Sequence, residues 1–513
     1  MGGFFLPLTL LGGLSMVGCS HQTSDEHAIF KYNEPTGIPT LDPAFAKDKS
    51  TLWAVGQLYE GLVRLDTNST VAPALAESWE ISSDGLLYTF TLRSAQFHNG
   101  DPVTGKDVVF SLQRLTDPEV ASPGKWTQDR VDTLWSHNNQ VYIRLQQPFA
   151  PFLSMLSMAY CSVVSEDHAK SHDLANAPNG TGPFKFHKWW KGEKLIFHKN
   201  QHYWETDANG QPLPKLDAIS IRFIPDAQSA FLEFLKGSLN FLPTVEASFK
   251  DDLLGGTGSL QERYSSRFYL EKATFLNTEY LVFNAEAGIP RDLRWAVNAA
   301  IDRDLMMAKL RNGIGLPAHN GIVPTALPGS LQGNASQYNP DSAQAIIAAH
   351  HSAGTLPPLE LSTVSSYLDL CEYVQGSLAK VGWTITVNVL PPSSIRAQKS
   401  TGELDFFRAS WIADYPDAEN YLMLFYGPNS APSGPNYSRV NSTAYNALYE
   451  QLVVSTHEEE RIAVMQRAGT FIYEQALCVP LYYDQSMRVM PNELHSVKGN
   501  ALNQLILNYA YLK

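Results

Sequence analysis

The period of the apolar positions changes repeatedly along the chain, and each change marks an element. Ile29 to Asn33 alternates and reads as a strand. Leu52 to Val63 has helical spacing, with Leu52, Val55, Leu58, Tyr59 and Leu62 on one face. Tyr88 to Arg93 mixes aromatic and β-branched residues after the turn Ser83-Asp84-Gly85, which predicts another strand. Thr104 followed three residues later by Asp107 predicts a capped helix through Leu115, with Val108, Leu112 and Leu115 inward. Gly180 to Phe186, Lys194 to Lys199 and Ile219 to Ile224 read as strands, and a helix from Ala227 to Lys236 ends at Gly237. Tyr280 to Asn284 reads as a strand, and Asp292 to Asp302 as a helix with Leu293, Val297, Ala300 and Ile301 inward. Leu359 to Thr363 and Thr384 to Leu390 flank a helix near Tyr367 to Val381, a β-α-β arrangement that predicts a partly parallel sheet. Helices near 442–454 and 458–476 follow. The fold class is α/β.

Composition sets the scale of this pattern. A chain of 513 residues exceeds one core, at roughly 100 to 200 residues per domain, so two or three structural units are expected. Lys and Arg number 38 against 51 Asp and Glu, a net charge of −13 that argues against nucleic acid as a partner. Four cysteines at this length rule out a disulfide scaffold.

The first eighteen residues contain no Asp, Glu, Lys or Arg and lead to Cys19. They predict an export signal over 1–18, and Met16-Val17-Gly18-Cys19 resembles a bacterial lipobox, with Cys19 as the lipidation site and 19–28 as a polar tether. Of the other cysteines, Cys161, Cys371 and Cys478, at most two can pair, and they read as small buried hydrophobes. Leu145 to Ser165 is interrupted by Gln146, Gln147, Pro148 and Pro151 and is too polar to span a membrane.

Catalytic signatures are scarce: the chain has no GxSxG, HExxH or GxxxxGK[ST] motif. His198 and His202 would share a face only on a helix, and their surroundings read as a strand leaving into a turn, so neither a metal nor a cofactor is expected. Gly255-Gly256-Thr257-Gly258 lacks a following Lys and reads as a loop. Asp414, Asp417 and Glu419 form the densest acidic group beside aromatic residues, in the segment Trp411 to Tyr421. Their chemistry leaves four uses open: a glycosidase pair, a calcium site, a structural turn, or a zwitterion site. In the last, Asp414 beside Trp411 takes an ammonium and Arg408 a carboxylate.

An ordered set of short motifs decides further. Leu41-Asp42-Pro43, Tyr59-Glu60-Gly61-Leu62-Val63 and Ala72-Pro73-Ala74-Leu75-Ala76-Glu77-Ser78-Trp79 come first. Asp84-Gly85 with Tyr88 to Arg93, Phe97-His98-Asn99-Gly100-Asp101-Pro102-Val103-Thr104 and Asp107-Val108-Val109 follow. Gly180-Thr181-Gly182-Pro183-Phe184, Ala300-Ile301-Asp302-Arg303 and Trp411 to Asp417 complete the series. Together they resemble the bacterial extracellular solute-binding proteins of the oligopeptide and dipeptide ABC transporter family, family 5, over nearly all of the chain beyond the tether.

The resemblance implies a two-lobed clamshell with a third subdomain inserted in the first lobe. The first lobe would comprise 29–60, 175–270 and 482–513, the inserted subdomain 61–174, and the second lobe 271–481. It implies a non-enzymatic, monomeric receptor at the cell envelope that captures extended oligopeptides between its lobes, its partners being the peptide, an inner-membrane ABC permease and, through the N-terminal lipid, the membrane. By position, Asp414 matches the acid that holds the peptide amine and Arg408 a basic residue that reaches the C-terminal carboxylate. Trp411, Tyr415, Thr278 and Tyr280 complete the expected ligand-binding set. Lys47 and Asp48 stand where some members carry an acid and small residues, and Ile412 stands where some carry a cysteine. Related ligands on this scaffold are a dipeptide, a cell-wall peptide, glutathione, haem or a metal chelate, and the rival from another class is a secreted hydrolase using Asp414 and Asp417.

Overall fold

The computed structural model describes residues 1–2, 28–255, 258–311, 313–333 and 337–513. Cys19, most of the expected signal and tether, and Gly256-Thr257 lie outside the described residues. Three sheets organise the rest. The first runs in the order Ile29–Asn33, Ala218–Arg222, Lys194–Lys199, Phe184–Trp190, its first pair parallel and the others antiparallel. The second is an antiparallel sheet ordered Ala76–Ile81, Leu87–Leu92, Gln140–Leu145, Val131–His137. The third has six strands, ordered Leu316–Pro317, Cys478–Pro491, Phe268–Phe283, Phe406–Ile412, Glu360–Thr363, Thr386–Val389. Its last three strands are parallel, with helix Leu368–Lys380 connecting Glu360–Thr363 to Thr386–Val389, the β-α-β unit expected from the apolar pattern.

The first helix departs from its expected register. It spans Lys49–Leu58, because Asp48 caps it: the carboxylate accepts from the Thr51 amide at 3.0 Å and from the Ser50 hydroxyl at 2.7 Å. Its buried side carries Trp53, Ala54, Val55 and Leu58, while Leu52 faces out. It stops at Leu58 because the next donor to that carbonyl is not in the helix at all. The Gly182 amide donates to Leu58 O at 2.9 Å, and Gly180 and Gly182 lie so close that an added Cβ would stand 1.9 Å from Leu58 O and 2.5 Å from Gln57 O. Thr181 donates to Glu60 at 3.1 Å, Tyr203 donates to the same carboxylate at 2.9 Å, and the His98 amide donates to Gly180 O at 2.8 Å. Burial pushes the His98 imidazole down to about 4, so it is neutral at pH 7 and donates from Nε2 to Gly182 O at 3.0 Å. Three motifs of the sequence therefore meet at one backbone crossing.

Two long strands connect the bodies. The expected strand at Tyr280 is the far end of Phe268–Phe283, and Cys478–Pro491, which the apolar pattern did not reveal, pairs with it antiparallel. One end of the pair packs Phe268, Met487 and Val489 against Phe231 and Phe234; the other places Leu281, Phe283, Val479 and Leu481 in the core under helices Arg291–Ala300 and Leu368–Lys380. Between these ends the register breaks. Thr274 faces Gln485 and Thr278 faces Tyr483, so Phe275, Leu276 and Asn277 stand opposite Asp484 alone. This bulge bends the ladder where it passes from one body to the other. Cys161, Cys371 and Cys478 are buried free thiols, and among the described residues no helix is long and apolar enough to cross a membrane.

Candidate functional site

The strand Phe406–Ile412 feeds the acidic segment, and its alternation separates the expected ligands. Phe407, Ala409 and Ala413 enter the large core; Arg408, Ser410 and Ile412 point the other way. Arg408 and Trp411 differ by three positions and so occupy opposite faces. Trp411 and Asp414 are brought together instead through Asn420, a fully buried residue whose Oδ1 accepts from the Trp411 indole at 2.8 Å and from the Asp414 amide at 3.1 Å.

Asp414 is the one acid of the segment left without a partner: among the described residues its carboxylate has neither a hydrogen bond nor an ion pair. Water reaches it, yet protein walls surround it, and this partial desolvation alone pushes it up to about 6. Asp417 and Glu419, by contrast, are consumed. Arg461 clamps Asp417 with two bonds of 2.8 and 2.7 Å, a bidentate pair. Glu419 is buried and accepts from Tyr415 at 2.5 Å and from the Tyr449 hydroxyl. Burial raises the Glu419 carboxyl, the two phenols opposing the shift.

The remaining expected residues have structural partners. The Tyr415 hydroxyl is the one committed to Glu419. Thr278 is fully buried and donates to Ile322 O at 3.0 Å, and Tyr280 is buried beside Ala409 in the ladder. Arg408 gives a terminal nitrogen to the buried carboxylate of Glu279 and lies with its guanidinium carbon 3.2 Å from the ring centroid of Tyr367.

Residues outside the expected set complete the surroundings of Asp414. Tyr160, from the region 61–174, lies near enough to feel the charges of Asp414 and Asp48; burial first, then those two acids, pushes its phenol up to about 12. Asp48 itself stays below its ordinary value because the bonds from Ser50 and Thr51 outweigh desolvation. Trp126 places its ring 6.5 Å from that of Tyr415. Gly124 makes room for this arrangement: a Cβ there would meet Tyr160 Cγ at 2.5 Å. Neither aromatic belongs to a recurring motif, and a glycine directly before Lys125-Trp126 is the only trace in the sequence. Two residues beyond Asp414, Pro416 lines a cavity of about 530 Å³ that Thr67–Thr70 and Gly499–Ala501 also line. Thr67 also borders a second cavity of about 450 Å³, lined by Glu60, Arg64, Met158, Gln504 and Tyr509 among others.

Two bodies sharing a pair of long strands are the architecture of a two-lobed binding protein. The chain belongs to the family described as "Bacterial extracellular solute-binding proteins, family 5 Middle", whose model matches residues 70–433. It is 27% identical to Heme-binding protein A of Haemophilus influenzae over 83% of this chain and 81% of that protein. It is also 27% identical to Probable di/tripeptide-binding protein 5 of Pseudomonas aeruginosa, over 86% of this chain and 88% of that protein. The solved structure of the ABC transporter-associated periplasmic binding protein DppA from Helicobacter pylori, in complex with peptide STSA, superposes with a TM-score of 0.75 at 26% identity, covering 94% of this chain and 98% of that one.

Proposed function

We propose that this protein is the peptide-capturing component of an ABC transporter, holding the free amine of an extended peptide at Asp414 and handing the peptide to an inner-membrane permease. The observation that carries this reading is the Asp414 carboxylate, which has no hydrogen bond or ion pair among the described residues, whose charge reaches Tyr160 and whose amide is held by Asn420. An exposed carboxylate that the protein leaves unpaired can take its counter-charge from a ligand, and an ammonium is the group it fits. The names of the pseudomonad relative and of the peptide-bound Helicobacter protein support the same ligand class. The protein performs no chemistry on the peptide. The hydrolase alternative needs Asp417 as a second acid or base, and Arg461 holds that carboxylate in a bidentate pair.

Main-chain pairing of the peptide as an added strand supplies affinity without fixing its sequence, and closure about the bulged strands brings both walls onto it. The receptor works as a monomer at the cell envelope, tethered by a lipid on Cys19. Calorimetric titration with di- to pentapeptides tests the ligand class: saturable binding of free-amine peptides is expected, and failure of every length, or copurification of haem with its Soret band, would refute it. Labelled fatty acid incorporated by the wild type and not by Cys19→Ser is the result expected for the tether; equal labelling would remove it.

A further inference from the structure

The register of the first sheet sorts its residues into two unlike faces. Tyr32, Ile221, Leu195 and Trp189 form one row and Phe30, Ile219, Phe197 and Phe186 another, all turned into the lobe. The opposite face carries Lys31 and Lys188 at the two ends of one row, Lys194 paired with Trp190 in the next, and Lys185 paired with His198 on the other side. Lys191, at the hairpin turn between the last two strands, instead lays its ammonium 3.0 Å over the Trp189 ring, toward the lobe side. Among the described residues none of these five lysines lies within ion-pair distance of a carboxylate, and Glu193 is the only acid from 184 to 199. Trp190 is 39% exposed, with the Lys188 ammonium 4.6 Å above its ring.

In a chain of net charge −13 this face gathers lysines without ion pairs, although Arg222, opposite Lys194, is paired with Glu233. Lysines on an outer strand guard against edge-to-edge pairing, and both edges of this sheet carry them, but Lys194 lies on an inner strand and that role gives no reason for an exposed indole among them. An indole flanked by lysines whose stems cross apolar surface is the chemistry of the membrane–water interface. The face also lies where the chain enters the lobe: Ile29 shares a row with Ala218, His198 and Lys185, so any segment preceding Ala28 starts from this sheet.

We propose that this sheet face docks on a bilayer surface carrying anionic phospholipid headgroups, with Lys185, Lys188 and Lys194 facing the phosphates and Trp190 entering the interface. Each lysine near an anionic bilayer strengthens binding by roughly fivefold at physiological salt. A single acyl chain holds a protein only marginally, and a basic patch is the kind of second signal that makes attachment stable. The docked face also fixes which way the lobes point, which a flexible tether alone does not.

The test uses the full chain carrying Cys19→Ser, so that no lipid contributes, and follows flotation with vesicles of phosphatidylcholine alone or mixed with phosphatidylglycerol. Binding to the anionic vesicles is expected to be about tenfold tighter or more, to fall steeply with salt, and to be lost in Lys185→Glu/Lys188→Glu/Lys194→Glu. The corresponding triple Arg variant should bind like the parent, and Trp190→Ala should weaken binding several-fold. The apolar leader is common to every arm and cancels. Equal partition between the two vesicle types, or undiminished binding of the charge-reversed variant while it still binds peptide, would overturn the proposal. Loss of cellular peptide uptake in that variant without any vesicle binding would assign the face to an acidic protein partner and overturn it equally.

Discussion

Arg408 and Glu279 sit diagonally across neighbouring strands, Glu279 opposite Ser410 and Arg408 opposite Leu281, and their charged groups meet on the face away from Trp411. Glu279 is 1% exposed, and burial raises its carboxyl even though the guanidinium opposes the shift. The Arg408 Nε finds no acceptor. Glu279→Gln would leave this guanidinium buried without its counter-charge and should cost about 3–5 kcal/mol, whereas Glu279→Gln combined with Arg408→Met should cost markedly less. Urea unfolding of the two variants measures the difference. With Arg408 already engaged, wild type should also discriminate weakly between a peptide acid and its amide, and calorimetry with the two ligands checks it.

Asp414→Asn should weaken free-amine peptides by about 2–5 kcal/mol, the range for removing one partner of a desolvated charge pair. N-acetylation of the peptide removes the other partner. Wild type should therefore reject the acetylated ligand while the Asn variant treats both nearly alike; an equal acetylation penalty in the two proteins would show that Asp414 does not hold the amine.

The raised carboxyl makes the site sensitive to pH. With Asp414 at about 6 in the folded protein against an ordinary value of 3.8, the acid gains its proton as pH falls through 6 and loses its attraction for an ammonium. The same shift means that the folded state binds the proton more tightly than the unfolded one. The contribution of Asp414 to stability is therefore most favourable below 3.8 and is lost as pH rises through 6. Free-amine affinity should decline up to about tenfold per pH unit below 6, and the profile should be flat in Asp414→Asn.

Gly180→Ala is expected to destabilise the protein by about 3 kcal/mol or more, since the new methyl would stand 1.9 Å from Leu58 O, a backbone atom with nowhere to move. Thermal unfolding reports it. Gly192→Ala removes a glycine at φ +76 with open space around it and should cost only about 1 kcal/mol of backbone strain.

The sequence made the α/β class, the β-α-β unit and the ordered motifs legible because each depends on local period or turn chemistry. What it hid depends on partners far along the chain. The helix at Lys49 ends where Gly182 meets it, more than a hundred residues later in the chain, so helical spacing alone carried the reading past Leu58 to Val63. Arg408 and Asp414 look like neighbours in a zwitterion site, and only the alternation of the Phe406–Ile412 strand and the buried Glu279 set them apart. Glu279 was visible as a lone acid within Leu276-Asn-Thr-Glu-Tyr-Leu-Val-Phe283, a setting in which a carboxylate demands a cation.

The two long strands also order events in time. Leu242 and Val489 exchange amide bonds of 2.9 and 3.0 Å, Trp53 donates to Asn503 O at 2.7 Å, and Gln57 donates to Leu505 O at 2.7 Å. The lobe begun at Ile29 thus closes only with residues about 450 positions further along the chain, however early its first strand emerges. Contacts this distant in sequence cannot nucleate from the N-terminal part alone. A chain still being made therefore holds its first lobe open until those distant residues emerge.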